Sequence, residues 1–270
     1  MGFQARIASL AGDTWRSWRM AALWPWPAVV IGNPHGRFTW DDYRCFTREL
    51  KPGDFILTTS EPYFLSNRGI KGSFKHLAVY TGAVHGAYRD QNTECIMHPK
   101  PLPLKRGHTG IVGKGTFERT VTHAISDGVV CQDLGELLFH ADWAMAVRAW
   151  KDEDEQGVIV QSALDQIGLE YNFDFKPKGN PKWYCTQLGY YCCQKAGILP
   201  PERVKLTTSL LGFLLPLDRF KSEVPIADAF VAQFEPVCKS LSCNDPSFAR
   251  HSRWADTLRR KISVSVDAAT

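Results

Sequence analysis

The chain has 270 residues, of which 44% are hydrophobic and 22% are charged, and its net charge is +4. This length and composition are typical of a globular protein with a core large enough to fold without disulfides or metals. The small net charge argues against a nucleic-acid binder. Eight cysteines are too few for a disulfide scaffold in a chain of this length, and no Cys-x-x-Cys pair is present, so we expect mostly free thiols in a reducing compartment.

The N-terminal segment, residues 1–48, contains an apolar run at 20–32 that is too short to span a membrane and is interrupted by two prolines. No convincing signal-peptide cleavage site follows this run. We therefore expect a chain that is cytoplasmic at synthesis, with a bacterial or phage association left open, and an N-terminal segment that docks on the domain. A membrane-surface anchor is the alternative.

Apolar and polar residues alternate after this segment, with turn residues between the runs, and this pattern predicts a series of strands and helices over a domain at residues 49–217. The sequence Pro52-Gly53-Asp54 predicts a turn, in which Asp54 caps the loop and supports the next strand. The predicted elements are, in chain order, strands at 55–59 and 74–82, an insertion loop at 83–117 with a short strand near 94–98, a hairpin at 117–134 around Ser126-Asp127-Gly128, a helix at 135–142, a strand at 143–150 and a helix at 152–168.

The helix predicted at 152–168 begins with acidic residues, which the helix dipole favours at that end. Its apolar face is predicted to consist of Val160, Ala163, Leu164 and Ile167, and Gly168 is expected to cap its end. Further along the chain, residues 210–217 predict a strand or a short buried segment. Residues 218–270 are predicted to form a C-terminal helical extension with a helix near 225–236.

Cys185 lies at the predicted start of another helix, in which Cys185, Leu188, Cys192 and Ala196 share one face. A helix N-terminus lowers the pKa of a cysteine because its N–H groups and dipole favour the thiolate. The same N–H groups can hold an oxyanion. Cys185 is therefore the candidate nucleophile, whereas Cys192 and Cys193 are expected to be core residues.

A cysteine nucleophile needs a base, and two histidines, His76 and His123, lie inside predicted strands. A histidine buried in a strand costs desolvation free energy unless it is paired, so each of them could also be a satisfied core residue. Together with Cys185, they predict a nucleophile, a base and a partner that orients the base. A zinc site made of the same three residues is the alternative, although no motif spacing supports it.

Several short stretches, in a fixed order, resemble the permuted papain-like cysteine hydrolases of the NlpC superfamily, the bacterial and viral amidase-like branch related to lecithin retinol acyltransferase. FKHLAVYTG at 74–82 resembles the strand that carries the catalytic histidine of that group. WYCTQLGYYCCQKAGI at 183–198 resembles its nucleophile helix. The other matching stretches are LKPGDFIL, VTHAISDGVVCQDLGELL, WAMAVRA and ALDQIGLEYNFDF, and together they lie between residues 49 and 200.

The resemblance implies an α+β fold in which an antiparallel, barrel-like sheet packs on the nucleophile helix. It implies that Cys185 is the nucleophile, His76 the general base and His123 the third residue, with His98 as the fallback for the third role. It implies no cofactor and no metal. The residues expected to line the oxyanion region are neighbours of the nucleophile in sequence: Tyr184, Thr186 and Gln187.

Three positions depart from the usual pattern of the group. His123 stands where a glutamate is common in the bacterial branch, and it can orient the imidazole of His76 but adds no fixed negative charge. Gln187 stands where a glutamate is common after the nucleophile. Lys75 precedes the histidine at a position where a small polar residue is usual.

The sequence therefore predicts a cysteine hydrolase that cleaves an amide bond through an acyl-enzyme, with a peptide or acyl-amide substrate that could belong to the cell wall. One alternative is an acyltransferase or thioesterase that acts on lipid acyl groups, and another is a catalytically inactive binding or structural relative. Association with a membrane surface or the cell wall is left open, no nucleic-acid partner is expected, and the oligomeric state is not predicted.

Overall fold

An antiparallel sheet of six strands forms the centre of the structure. The computed structural model describes residues 37–59, 72–85, 87–88, 96–97, 116–125, 128–139, 141–172, 182–205, 223–244 and 248. The elements are, in chain order, α1 (Trp40–Glu49), β1 (Phe55–Thr59), β2 (His76–His85), β3 (Ala87–Tyr88), β4 (Ile96–Met97), β5 (Thr116–Ile125), β6 (Gly128–Asp133), α2 (Leu134–Phe139), β7 (Trp143–Arg148), α3 (Glu153–Leu164), β8 (Glu170–Tyr171), β9 (Lys182–Trp183), α4 (Cys185–Lys195), β10 (Arg203–Lys205), β11 (Glu223–Pro225), α5 (Ala227–Gln233) and β12 (Glu235–Lys239), followed by a 3-10 turn at Leu241–Asn244.

The strands of the central sheet follow the order β12-β7-β1-β2-β5-β6, and every neighbouring pair is antiparallel. The predicted α+β class is confirmed. The sheet is open rather than closed into a barrel, because β12 and β6 stand at its two ends and do not pair with each other. Among the described residues, no helix is both long enough and apolar enough to cross a membrane.

Helices cover both faces of this sheet. Neighbouring residues of β1 contribute to two different buried clusters, because successive side chains of a strand point to opposite faces. Phe55 and Leu57 belong to the cluster under α3, α4 and α5, whereas Ile56 belongs to the cluster under α1 and α2. Helix α1 begins inside the segment predicted at 1–48, and it packs on the sheet.

The close approach of α4 to β2 depends on a glycine. A Cβ atom placed on Gly189 would lie 2.7 Å from Cδ2 of Leu77 and 3.1 Å from the ring of Phe230. Such distances are too short for a side chain without movement of the neighbours. Gly189 therefore allows the nucleophile helix to lie directly against the strand that carries His76.

Most of the strands and helices predicted before residue 200 are found close to their predicted positions, including the hairpin of β5 and β6. Of the predicted insertion loop at 83–117, the described part contains the end of β2, the short pair β3 and β4, and the start of β5. The segment predicted at 210–217 lies outside the described residues. The predicted helix near 225–236 is α5, but the sequence did not predict β12, which adds an edge strand to the sheet.

The apolar face of α3 differs from the predicted one. Ile159 and Ala163 are fully buried, whereas Val160 is only partly buried and Val158 is exposed. The helix also ends at Leu164, earlier than predicted. Three consecutive β-branched residues leave the buried face of the helix ambiguous, and packing against the sheet selects the middle one.

Asp54 occupies the turn before β1, as predicted, and its carboxylate is fully buried. It accepts the N–H of Lys51 at 2.8 Å, the indole N–H of Trp150 at 3.1 Å, and two guanidinium N–H bonds of Arg148 at 2.8 Å each. A buried carboxylate needs such partners, because burial without them is costly. Asp54 therefore joins the turn before β1 to the end of β7.

Candidate active site

Cys185 is the first residue of α4, in agreement with the predicted helix start. Tyr184 is the N-cap residue, and its side chain makes no capping hydrogen bond. Ser, Thr, Asp or Asn at this position would usually accept an N–H of the first turn. Without such a cap, the N–H groups of Cys185 and Thr186 face the sulfur of Cys185.

The thiol of Cys185 is nearly enclosed, with 8% of the residue exposed. Burial raises the pKa of the Cys185 thiol above its ordinary value, and the backbone N–H groups of Leu77, Thr186 and Cys185 itself act in the opposite direction. The net direction differs from the lowered pKa that the helix start predicts. The reason is that removal of the thiolate from water outweighs the stabilisation by the nearby N–H groups.

Two tyrosines and β2 surround this thiol. The amide of Leu77 lies against the sulfur, so the residue after His76 in the chain contacts the candidate nucleophile. Burial raises the pKa of Tyr171, and the next largest effects come from Cys185 and Tyr184. Tyr184 is almost completely buried, and burial followed by the neighbouring Cys185 raises its pKa as well.

His76 and His123 form a direct hydrogen bond across β2 and β5. Nε2 of His76 lies 2.7 Å from Nδ1 of His123, and the two rings meet nearly edge to face, with centroids 5.0 Å apart. The pairing of Ala78 with His123 in the sheet makes the two histidines diagonal neighbours on one face. The structure thus brings together two of the residues that the sequence predicts to be catalytic.

Both imidazoles are neutral at pH 7. Burial lowers the pKa of His76 to about 4. Burial and then the neighbouring His76 lower the pKa of His123 well below its ordinary value, while Gln132 acts in the opposite direction. Between two neutral rings, one nitrogen of the bonded pair must donate and the other must accept.

The tautomers of this pair follow from the reaction that the site would need. If Nδ1 of His76 is to accept a proton, its Nε2 carries a hydrogen and donates it to Nδ1 of His123. The single N–H of His123 is then at Nε2, a buried atom that has no hydrogen-bond partner of normal geometry among the described residues. Gln132 is close enough to affect the pKa of His123 but does not complete that bond.

The remaining predicted site residues have different positions. The hydroxyl of Thr186 donates to the carbonyl of Pro225 at 2.7 Å, so only its backbone N–H faces the sulfur. The side-chain carbonyl of Gln187 accepts from the amide of Asn172 at 3.2 Å, which links α4 to the chain after β8. His98 lies outside the described residues. Within the described ranges, no group of three or more His, Cys, Asp or Glu side chains is arranged to hold a metal ion.

Sequence reasoning missed three residues near this site: Tyr171, Gln132 and Asp228. The two-residue hairpin between β5 and β6 could have identified Gln132, because it sets His123 opposite Val130 and Gln132 two positions further along the same face. No comparable local signal identifies Asp228, which contacts a segment about 155 residues earlier in the chain.

The arrangement can support nucleophilic chemistry at a carbonyl group. It offers a thiol at a helix start, backbone N–H groups beside the sulfur, and a neutral pair of imidazoles, one of which, His76, directly precedes the amide of Leu77 that touches that sulfur. These are the parts needed for attack, for binding of an oxyanion and for transfer of a proton.

Comparison with known proteins gives a family for this chain. Residues 49–212 match the model of the family described as permuted papain-like amidase enzyme, YaeF/YiiX, C92 family. A crystal structure described as the metalloprotein yiiX from Escherichia coli O157:H7 is similar, with 16% sequence identity over 71% of this chain and 98% of that one, and with a TM-score of 0.48. No curated protein sequence matches the chain. Because the family match covers more than half of the chain, the protein belongs to the permuted papain-like amidase family.

Proposed function

We propose that the protein is a cysteine amidase in which Cys185 attacks the carbonyl carbon of an amide, His76 is the general base and His123 orients His76. The observation that carries this proposal is the hydrogen bond between His76 and His123, together with the position of the amide that follows His76 in β2 against the Cys185 sulfur. The family, whose members are described as amidases, supports the class of bond.

The proposed reaction begins with a neutral thiol, because burial raises the pKa of Cys185 and lowers that of His76. Nδ1 of His76 takes the thiol proton as sulfur bonds to the carbonyl carbon, and the N–H groups of Cys185 and Thr186 bind the resulting oxyanion. The imidazolium of His76 keeps its Nε2–H bond to His123. It then gives its proton to the leaving nitrogen, the C–N bond breaks and an acyl-enzyme remains.

Water completes the proposed cycle. His76, neutral again, removes a proton from a water molecule as the oxygen attacks the thioester carbon. The C–S bond breaks, the sulfur recovers a proton, and the acid product leaves. His123 acts throughout as a neutral acceptor, so it orients the base without the ion-pair stabilisation that a carboxylate would give to the imidazolium.

We propose a peptide amide of the cell wall as the substrate. The support is the resemblance of the sequence to cysteine hydrolases that include wall-cutting enzymes, together with a net charge of +4 that is compatible with an acidic polymer. A hydrolysis assay on soluble wall peptides, compared with an assay on a lipid acyl ester, tests this choice. Cleavage of the ester alone would contradict it.

The test of the chemistry is the alkylation of each cysteine by iodoacetamide, followed by mass spectrometry. We expect Cys185 to react in a manner that depends on His76, so that His76→Ala slows its alkylation, whereas His123→Ala slows it less because His123 orients the base. Cys192→Ala is the matched control, because Cys192 lies in the same helix and is fully buried. Alkylation of Cys185 at the same rate in wild type and in His76→Ala would overturn the proposed pair.

A further inference from the structure

One short segment, Pro225–Asp228, contacts both parts of the proposed site. It runs from the end of β11 into the first turn of α5. This segment lies beyond residues 49–212, the part of the chain that matches the family model. Its contacts are therefore features of this chain that the family match does not cover.

On the side of the base, Asp228 holds the chain that enters β2. Its carboxylate accepts the N–H of Ser73 at 2.7 Å and the N–H of Phe74 at 2.8 Å. Asp228 is fully buried, and both of its partners are backbone groups just before His76. Hydrogen bonds from backbone N–H groups to an ionised carboxylate are among the strong ones in proteins.

The backbone at this point is shaped to receive the carboxylate. Gly72 has a φ of 103°, a value that side chains other than glycine rarely adopt. A Cβ atom on Gly72 would lie 2.7 Å from the carboxyl carbon of Asp228. A left-handed residue followed by two amides that point at one buried carboxylate fixes the direction in which β2 begins.

On the side of the nucleophile, the same segment binds α4. The hydroxyl of Thr186 donates to the carbonyl of Pro225 at 2.7 Å, in a buried contact next to Cys185. Phe230 of α5 packs close to Gly189 of α4, where a Cβ atom would be 3.1 Å from the ring. Both contacts constrain the start of α4 relative to α5.

We propose that Asp228 is a positioning residue, which together with the carbonyl of Pro225 sets the distance between His76 and Cys185. The inference rests on the proposed function. Because each of the two elements binds the same short segment, a change in that segment moves the base relative to the nucleophile. Small displacements of this kind cost about ten- to a hundredfold in rate when a proton must be transferred.

The first variant is Asp228→Asn, which keeps the shape of the side chain but presents an N–H₂ group to one of the two backbone amides. We expect the rate constant for iodoacetamide alkylation of Cys185 to fall about tenfold or more. We also expect His76→Ala to have little further effect in the Asp228→Asn background, because the base is already misplaced. Thr186→Val should lower the alkylation rate in a similar way, because it removes the hydroxyl that binds Pro225. Thr186→Ser should keep a rate close to that of wild type, because serine retains the hydroxyl.

Asp42→Asn is the matched control. Asp42 is also a buried carboxylate that accepts backbone N–H groups, those of Thr39 and Leu241, but neither partner belongs to the proposed site. We expect Asp42→Asn to lower the melting temperature while it changes the alkylation rate less than about twofold. Equal rate losses in the two aspartate variants, at a temperature where both are folded, would overturn the positioning role.

A second measurement separates this inference from the proposed function. The ring ¹⁵N chemical shifts of His76 and His123 report their hydrogen bond whether or not the protein is an enzyme. If wild-type Cys185 reacts independently of His76, the proposed function is wrong, and a change of those shifts in Asp228→Asn still supports the positioning role. Unchanged shifts, together with an unchanged alkylation rate in Asp228→Asn, would show that Asp228 positions nothing at the site.

Discussion

We expect the hydrogen-bonded pair of His76 and His123 to make the protein less stable in mild acid. In the unfolded chain His76 titrates with a pKa near 6.5, whereas in the folded protein its pKa is about 4. Between these two values the unfolded state binds a proton that the folded state does not bind. Stability from this group is therefore complete above pH 6.5 and is lost as the pH falls toward 4.

The size of this loss follows from the two pKa values. Each pKa unit corresponds to about 1.4 kcal/mol, so the difference between 6.5 and about 4 gives up to about 3.5 kcal/mol, of which about 2 kcal/mol is lost by pH 5. His76 keeps part of its contact with solvent, which places the expected loss at about 2 to 3 kcal/mol. The lowered pKa of His123 adds to the effect in the same direction.

Urea unfolding at pH 7.5, 6, 5 and 4 measures this effect. Carboxylates also titrate in this range, so wild type is compared with the double variant His76→Gln and His123→Gln, which has the same carboxylates. The free energy of unfolding of wild type should fall relative to that of the variant between pH 6.5 and 4. A difference that stays constant over this range would refute the reasoning, since it would mean that the two imidazoles are solvated in the folded protein.

Three further predictions concern the framework that holds the site. Arg148→Met should lower the free energy of unfolding by about 3 kcal/mol in urea titrations, because it leaves the buried carboxylate of Asp54 without its cation; a loss below about 1 kcal/mol would contradict the role of the ion pair. Gly189→Ala should cost about 1 to 3 kcal/mol in the same assay, because the added methyl group overlaps the neighbouring side chain of β2, and an unchanged stability would show that α4 can move away. Ile159→Ala should lower the free energy of unfolding by about 2 to 4 kcal/mol and Val158→Ala by less than about 1 kcal/mol, since only Ile159 is buried. A larger loss for Val158→Ala than for Ile159→Ala would show that α3 buries a different face.

Local patterns in the sequence were sufficient to predict the elements that carry the proposed catalytic residues. Alternation in β2, the Asp-Gly turn of the β5–β6 hairpin and the glycine that follows α4 are signals within a few residues of each element. The pairing of β2 with β5 then brings His76 beside His123.

Long-range contacts explain what the sequence did not predict. β12 is short and contains a proline, and it forms a strand because β7 offers an unpaired edge. The raised pKa of Cys185 depends on how completely the folded chain covers the thiol, whereas the sequence shows only the helix start that would lower it. Asp228 contacts the chain before β2 from a distant part of the sequence, so no local pattern indicates its role.

The position of β12 at the end of the sheet also bears on how the chain avoids self-association. β12 presents exposed Glu235 and Lys239, an exposed proline and a bulge after Pro236, all of which discourage the pairing of an edge strand with another molecule. The neighbouring strand β7 is almost entirely apolar and lacks these features. A chain that ended at residue 217 would leave β7 as the edge, and we expect such a chain to aggregate through edge-to-edge pairing even if the rest of the sheet still formed.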